Sequence, residues 1–306
     1  MDGKYNHLTI SLNEKIITSI VSVTILSTTP FIRTGKKNCD DIMIIKTIIQ
    51  ARLGSTRFKG KILKEVLGKP LLQHMIERLQ HSQYASDIII ATTIEKRDNP
   101  IENLSSSLKI PCFAGSENDV LDRYYKAAKK YETDVVVRLT SDCPLIDPEI
   151  TDRVIQFYLD NKEKYDFVSN MHPPTFPDGL DTEVIPFYAL EKSWNEAHKI
   201  YEREHVSPYI WDNPHIFRLG NVFNNQELHL KQRWTIDYEE DFQFIKAIYE
   251  NLYQEGEIFY MKDILKLLSE KKEIHNLNKK YLGDNWWKKH WSELKTTHNL
   301  RTRGKK

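Results

Sequence analysis

The stretch Met43–Leu79, MIIKTIIQARLGSTRFKGKILKEVLGKPLLQHMIERL, decides the fold. It opens on IIKTIIQA, a continuous apolar run of the kind buried on both faces of a parallel sheet. It closes on PLLQHMIERL, where Leu71, Leu72, Met75, Ile76 and Leu79 recur at helical spacing. Between them lies QARLGSTRFKGK, a loop with two glycines and four cations, Arg52, Arg57, Lys59 and Lys61. Such a loop costs backbone entropy and repels itself, so an anion is expected to offset the charge. Gly54 and Ser55 let the backbone approach a phosphate, expose N–H groups to it, and leave the cations to neutralise it. The pattern is not a Walker A loop, because Gly60-Lys61 is followed by Ile62, and it lacks the G-x-G-x-x-G dinucleotide fingerprint. Taken alone, the loop also reads as a solvated basic turn.

Outward from this unit, apolar runs alternate with amphipathic segments. SDIIIATT reads as a second strand, NPIENLSSSLK as a helix starting near Asn99 and Pro100, and IPCFAG as a short strand. SENDVLDRYYKAAKKYE reads as a helix with Ser116 as N-cap and Asp119 in the capping-box position. DVVVRLTSDCPLI is the most β-rich run. Alternation at this pace predicts an α/β fold with a mostly parallel sheet covered on both faces. Such sheets bind ligands beyond the carboxyl ends of their strands, which places QARLGSTRFKGK, ATTIEKRDN and TSDCPLID on one rim. Further on, YDFVSNM, DTEVIPF, IFRLGNVF and LKQRWTIDY read as strands, with helices near 187–198, 202–211 and 239–253.

The 306 residues carry 44 basic and 43 acidic side chains, so no global field marks a nucleic-acid or membrane binder. Affinity for anions has to come from local clusters. The three cysteines show no paired or zinc-binding spacing, which suits a reducing cytoplasm. The run KIITSIVSVTILSTTPFIR is broken by Ser, Thr and Pro30 and falls short of the roughly 20 apolar residues of a spanning helix. Residues 1–42 are therefore expected to be a poorly ordered extension, with no stable membrane insertion, before a domain over 43–265. A basic tail over 266–306 follows. In it Trp287, Trp291 and Leu294 fall at helical spacing among lysines, which fits a helix docked on the domain or on a dimer mate or, alternatively, one lying at a membrane interface.

The strongest single chemical signal is RLTSDCPLIDPE. An apolar strand ending in Asp142, with Pro144 and Pro148 following, puts a free carboxylate on the rim. Mg²⁺ takes such oxygen ligands together with substrate phosphates. Gly115 and Ser116 stand at a helix start, and Asp119, Asp122 and Arg123 have the spacing of a structural ion pair as well as of ligand contacts.

The string QARLGSTRFKGKILKEVLGKPLLQHMIERL resembles the opening of the cytidylyltransferases that activate acidic sugars. These are the acylneuraminate and 3-deoxy-manno-octulosonate enzymes, and especially the branch named for spore coat polysaccharide biosynthesis protein F. The resemblance continues through FAGSENDVLDRYYKAAKKYE, VVRLTSDCPLIDPEI, DGLDTEVIPFYALE, REHVSPYIWDNP and RWTIDYEEDFQFI, covering roughly residues 43–265. It implies a Rossmann-like nucleotide-diphospho-sugar transferase fold and transfer of CMP from CTP to a sugar acceptor, with Mg²⁺ as cofactor and pyrophosphate as the second product. It also implies a role in surface glycan synthesis, and a homodimer is common among relatives.

Residue by residue, the resemblance implies that Arg52, Gly54, Ser55, Arg57 and Lys61 wrap the triphosphate, with Lys69 of Gly68-Lys69-Pro70 as a second basic point. Ala91 and Thr92, largely through backbone groups, with Gly115 and Ser116, would read the base and ribose. Asp237 of TIDYEEDF would be the second metal carboxylate beside Asp142, although an Asp before a helix is ordinarily its N-cap. Asp178, Asp181 and Glu183 would accept sugar hydroxyls, and Arg203 or His205 would take a carboxylate; a hydrogen-bonded structural role for His205 stands beside this. One departure is Phe58-Lys59-Gly60-Lys61, where the family has apolar-Pro-Gly-Lys; without the proline the loop is looser. The competing reading is a glycosyltransferase that consumes a nucleotide sugar, against which the chain has no Asp-x-Asp tripeptide.

Overall fold

The computed structural model describes residues 43–290 and 292–295. The expected extension over residues 1–42 lies outside the described residues, as do Trp291 and the chain beyond 295. Nine strands are described: β1 (Ile45–Gln50), β2 (Glu65–Val66), β3 (Lys69–Pro70), β4 (Ile88–Thr93), β5 (Cys112–Gly115), β6 (Val135–Thr140), β7 (Phe167–Ser169), β8 (Glu183–Pro186) and β9 (Leu219–Asn221). Seven of them form one sheet in the order β5-β4-β1-β6-β8-β7-β9, and β2 and β3 make a small antiparallel ribbon. Strands β5, β4, β1 and β6 run parallel; β8 is antiparallel to both β6 and β7, and β9 is parallel to β7.

The central strands are apolar at successive positions, not only at alternate ones, because both faces are covered. Ile49, Ile88, Ile90, Val135, Val137 and Leu139 enter one core, against helices Leu71–Leu79, Pro148–Asp160, Glu239–Leu252 and Met261–Glu270. Ile48, Ile89, Ala91 and Val136, one residue out of phase, enter the other, against helices Val120–Lys130, Phe187–Glu196 and Pro208–Trp211. Strand order reverses at β1, whose successors β4 and β5 lie on one side and β6 on the other, so a crevice opens at the ends of β1 and β6.

Tyr124 holds the two diverging strand ends together. Its buried hydroxyl lies 2.7 Å from the Leu139 carbonyl and 3.2 Å from the Ile48 carbonyl, and it accepts from the Gln50 N–H at 3.3 Å. Tyr124→Phe leaves these backbone groups short of a partner where water cannot replace it. The expected cost is about 1–3 kcal/mol, read as a lowered urea midpoint with an unchanged slope.

Several local expectations are corrected. The helix after β5 is capped by Asp119, which accepts from the Asp122 N–H, and not by Ser116. The single helix expected over 202–211 is two, Ile200–His205 and Pro208–Trp211, because Val206 sits at φ 71° ahead of Ser207-Pro208. LKQRWTIDY joins no strand; its only ladder contact among the described residues is the bridge between Asp178 and Arg233. That bridge needs Gly179, where φ is 108° and an added Cβ would lie 2.6 Å from backbone atoms of Trp234 and Thr235. Nor is there a break near residue 265, since helix Met261–Glu270 runs through it and the chain from Met43 packs as one compact unit. No described helix is long and apolar enough to cross a membrane.

Candidate active site

The crevice is a cavity of about 630 Å³, within the usual range for small-molecule sites. One end is walled by the loop after β1, including Arg52, Gly54, Ser55, Arg57 and Lys61. A buried carboxylate, Asp98, accepts from the Leu53 N–H at 2.7 Å and fixes the start of that loop. Asp98 belongs to the segment after β4, which therefore props the rim and does not line it. Gly60, at φ 65°, turns the chain into a short 3-10 turn that sends the Lys61 side chain inward.

Lys61 is the hub. Its Nζ donates to Asp142 Oδ2 at 3.0 Å, Asp237 Oδ1 at 2.9 Å and the Ile236 carbonyl at 2.6 Å. Burial alone would push the Asp142 carboxyl up. The Lys61 charge and hydrogen bonds from Thr140 and Lys61 outweigh it and hold the group at about 2. Burial likewise disfavours the Lys61 ammonium, but the charges of Asp142 and Asp237 raise its pKa overall. Asp237 is also 2.8 Å from Arg57. It is not a helix cap: Tyr238 holds that position, and Asp241 accepts from the Asp237 and Tyr238 N–H groups. The carboxylates of Asp142 and Asp237 thus come from distant segments to one point beside the basic loop.

Arg233, missed in the sequence, organises the far side. It is buried, and all five of its donors are used: by Asp241 twice (3.0 and 3.1 Å), Asp178 (3.2 Å), Asp237 (3.3 Å) and the Asp284 carbonyl (3.1 Å). Burial and three nearby aspartates raise the Asp178 carboxyl to about 7, against the pull of Arg233. Glu183 is fully engaged, accepting from Arg138 at 2.5 Å and Ser207 at 2.6 Å. Asp181 is different. Its carboxyl has no hydrogen-bond or ion-pair partner among the described residues, and burial with the charges of Asp178, Glu183 and Asp142 lifts its pKa well above the carboxylate range. It lines the cavity.

Not every expected residue lines the cavity. Lys69 is corrected: its ammonium binds Glu77 and the Tyr253 hydroxyl, outside the cavity wall. Arg203 is corrected too, being bound bidentately to Asp119 and to the Trp194 carbonyl, so it cannot reach an acceptor carboxylate without breaking that pair. His205 does line the cavity, where burial and the nearby Arg138 push its pKa down to about 3. Ala91 and Thr92 are fully buried in the sheet, and Gly115 and Ser116 also stand behind the wall. In front of them is Arg123, buried and on the wall, with Nη1 donating to the Ser116 carbonyl at 2.7 Å and Nε without a partner. It pairs with neither Asp119 nor Asp122, which bind Arg203 and Lys126 instead. A sequence signal for Arg138 existed, an arginine inside an apolar strand; for Arg233 there was none beyond its i, i+4 spacing to Asp237.

A basic loop at a sheet switch point, facing two carboxylates that share one cation, is a site for an anionic ligand. Comparison with known proteins agrees. Residues 46–274 match the family model described as cytidylyltransferase. The chain belongs to the cytidylyltransferase family. Among curated relatives, a protein of Methanocaldococcus jannaschii, MJ1063, is 40% identical over 77% of this chain and 95% of its own length. The spore coat polysaccharide biosynthesis protein SpsF of Bacillus subtilis is 34% identical over 66% of this chain and 85% of its own. Among solved structures, a cytidylyltransferase from Leptospira borgpetersenii superposes with a TM-score of 0.73 at 34% identity, covering 76% of this chain and 97% of that one. The family match ends at residue 274, yet Asp284, Asn285, Trp286, Trp287 and His290 also line the cavity. The tail expected as a docked helix instead enters the site as a 3-10 turn, Trp286–His290, and Leu294 is buried.

Proposed function

We propose that this chain transfers CMP from CTP to a hydroxyl of a sugar, releasing pyrophosphate, in the synthesis of a surface polysaccharide. The observation that carries this reading is the meeting of Asp142 and Asp237 at Lys61, beside the Arg52–Lys61 loop. Family membership supports cytidylyl transfer, and similarity to the spore coat polysaccharide biosynthesis protein SpsF supports the glycan destination. An acidic acceptor belongs to the same reading: its carboxylate would draw Arg203 from Asp119, as phosphate draws Arg57 from Asp237, or meet His205 on the cavity wall.

The two carboxylates suit Mg²⁺: hard oxygen donors that already converge within about 3 Å of one cationic nitrogen, in a site that leaves room for phosphate oxygens. When bound, Mg²⁺ would supply positive charge at the phosphates and at the departing pyrophosphate. Lys61 would then turn its ammonium to phosphate, joined by Arg52 and by Arg57, which exchanges Asp237 for the ligand. These fixed charges stand where negative charge grows on the leaving group. The acceptor oxygen forms a bond to the α-phosphorus in line with the breaking bond to pyrophosphate, and the hydroxyl proton is released. The protein's work is positioning and electrostatics.

Thermal unfolding with Mg²⁺ and each of CTP, UTP, GTP, ATP and dTTP tests the donor. A ligand at about 100 times its Kd adds roughly 2.7 kcal/mol, a shift of several degrees in Tm. CTP alone is expected to give the full shift, and only with Mg²⁺. An equal shift with every triphosphate, or none, contradicts the reading.

A further inference from the structure

The C-terminal segment is fixed to the catalytic body at several points. The Asp284 carbonyl accepts from Arg233, its carboxylate accepts from the Tyr238 hydroxyl at 2.9 Å, and Asn285 meets His229 at 3.3 Å. Beyond the turn, the Lys295 N–H donates to Asp212 at 3.0 Å. Trp286 stacks on His205 with ring centroids 3.7 Å apart and planes 15° from parallel, and it also meets Trp211 at 5.9 Å. His205 is followed by Val206, a β-branched residue at φ 71°, a strained conformation that persists only where its surroundings enforce it. The stack lies on the REHVSP segment at the wall of the cavity, which Asp181 also lines.

We propose that the Asp284–His290 segment, outside the family match, is the specificity wall of the acceptor subsite, and that Trp286 packs against the ring of a pyranose acceptor whose hydroxyls are read by Asp181. The proposal rests on the cytidylyl-transfer reading. The chemistry is complementary on both counts. Sugar C–H bonds present partial positive charge to the negative face of an indole, and a carboxyl without a protein partner is available to a hydroxyl. A cavity that pairs an aromatic wall with a few placed polar groups selects a ligand by shape and orientation together. The segment lies beyond residues 46–274, the part of the chain that matches the family model, and it adds an aromatic wall to the cavity.

The test uses the full chain with CTP and Mg²⁺ and a panel of pyranoses: 3-deoxy-manno-octulosonate, N-acetylneuraminate, mannose, glucose and N-acetylglucosamine. Pyrophosphate release identifies the accepted sugar. Trp286→Ala is expected to raise the KM for that sugar at least about tenfold, leaving the KM for CTP within about twofold, and Trp286→Phe to recover most of the loss. The CTP-induced Tm shift of Trp286→Ala, unchanged from wild type, shows that the variant is folded. The proposal is overturned if the sugar KM is unchanged, if both KM values rise together, or if no pyranose supports pyrophosphate release while CTP still shifts Tm. Absence of any CTP shift in the wild type instead sinks the cytidylyl-transfer reading, and the acceptor wall with it.

Discussion

Arg233→Ala lowers the stability of the domain by about 3–5 kcal/mol, the cost of leaving buried charges without their partner. The side chain is 1% exposed and answers Asp178, Asp237 and Asp241. Alanine removes all five of its hydrogen bonds and leaves those carboxylates facing one another. At about 2–4 °C per kcal/mol for a domain of this size, Tm falls by roughly 10 °C. The loss depends on pH, and its sign follows from linkage. Unpaired buried carboxyls have folded pKa values above their unfolded ones, as Asp178 at about 7 already has in the presence of Arg233. The folded state then binds more protons than the unfolded state, so stability rises as pH falls. The difference in Tm between wild type and variant should therefore shrink from pH 8 to pH 5. A loss under 1 kcal/mol, or a difference that widens on acidification, would mean that Arg233 is not the counter-charge described here.

The second large effect is on turnover. Asp142→Asn keeps the volume of the side chain but removes one of the two charges that meet at Lys61. Loss of one preorganised electrostatic group typically costs about 10²–10³ in kcat, and a comparable fall in CTP-dependent pyrophosphate release is expected, with a raised Mg²⁺ requirement. The variant also weakens a hydrogen bond from a charged donor, worth about 1.5–3 kcal/mol, which a domain of ordinary stability survives. Unchanged kcat and an unchanged Mg²⁺ titration in a folded Asp142→Asn protein would remove Asp142 from the chemistry.

What was legible in the sequence was local or repeated. The β1–loop–helix unit, the apolar strands β4 and β6, and Asp142 at a strand end all follow from patterns within about ten residues, and the sheet rule then brings the loop and Asp142 together. What escaped was set by packing between distant segments. Arg203 opens REHVSP in sequence, yet its direction is decided by where helix Ile200–His205 meets Asp119 at the start of helix Val120–Lys130. Lys69 reads as one more cation near a basic loop, but the ribbon of β2 and β3 turns it toward Glu77 and Tyr253. LKQRWTIDY has the composition of a strand but crosses the site outside the sheet, where its backbone serves Lys61 and Asp178. Trp286 lies some eighty residues from His205 in the chain, and no periodicity connects them; only the fold shows that the tail returns to the cavity.

The most direct test of the central claim follows the α-phosphorus. CTP labelled with ³²P at the α-position is incubated with the full chain, Mg²⁺ and the pyranose panel, and the labelled products are separated. The account predicts label in a CMP–sugar ester, with one pyrophosphate released for each ester formed, and no such product from Asp142→Asn at equal time. Label that remains in CTP with every sugar, while a nucleotide sugar is consumed in its place, would contradict cytidylyl transfer and make the protein a glycosyltransferase.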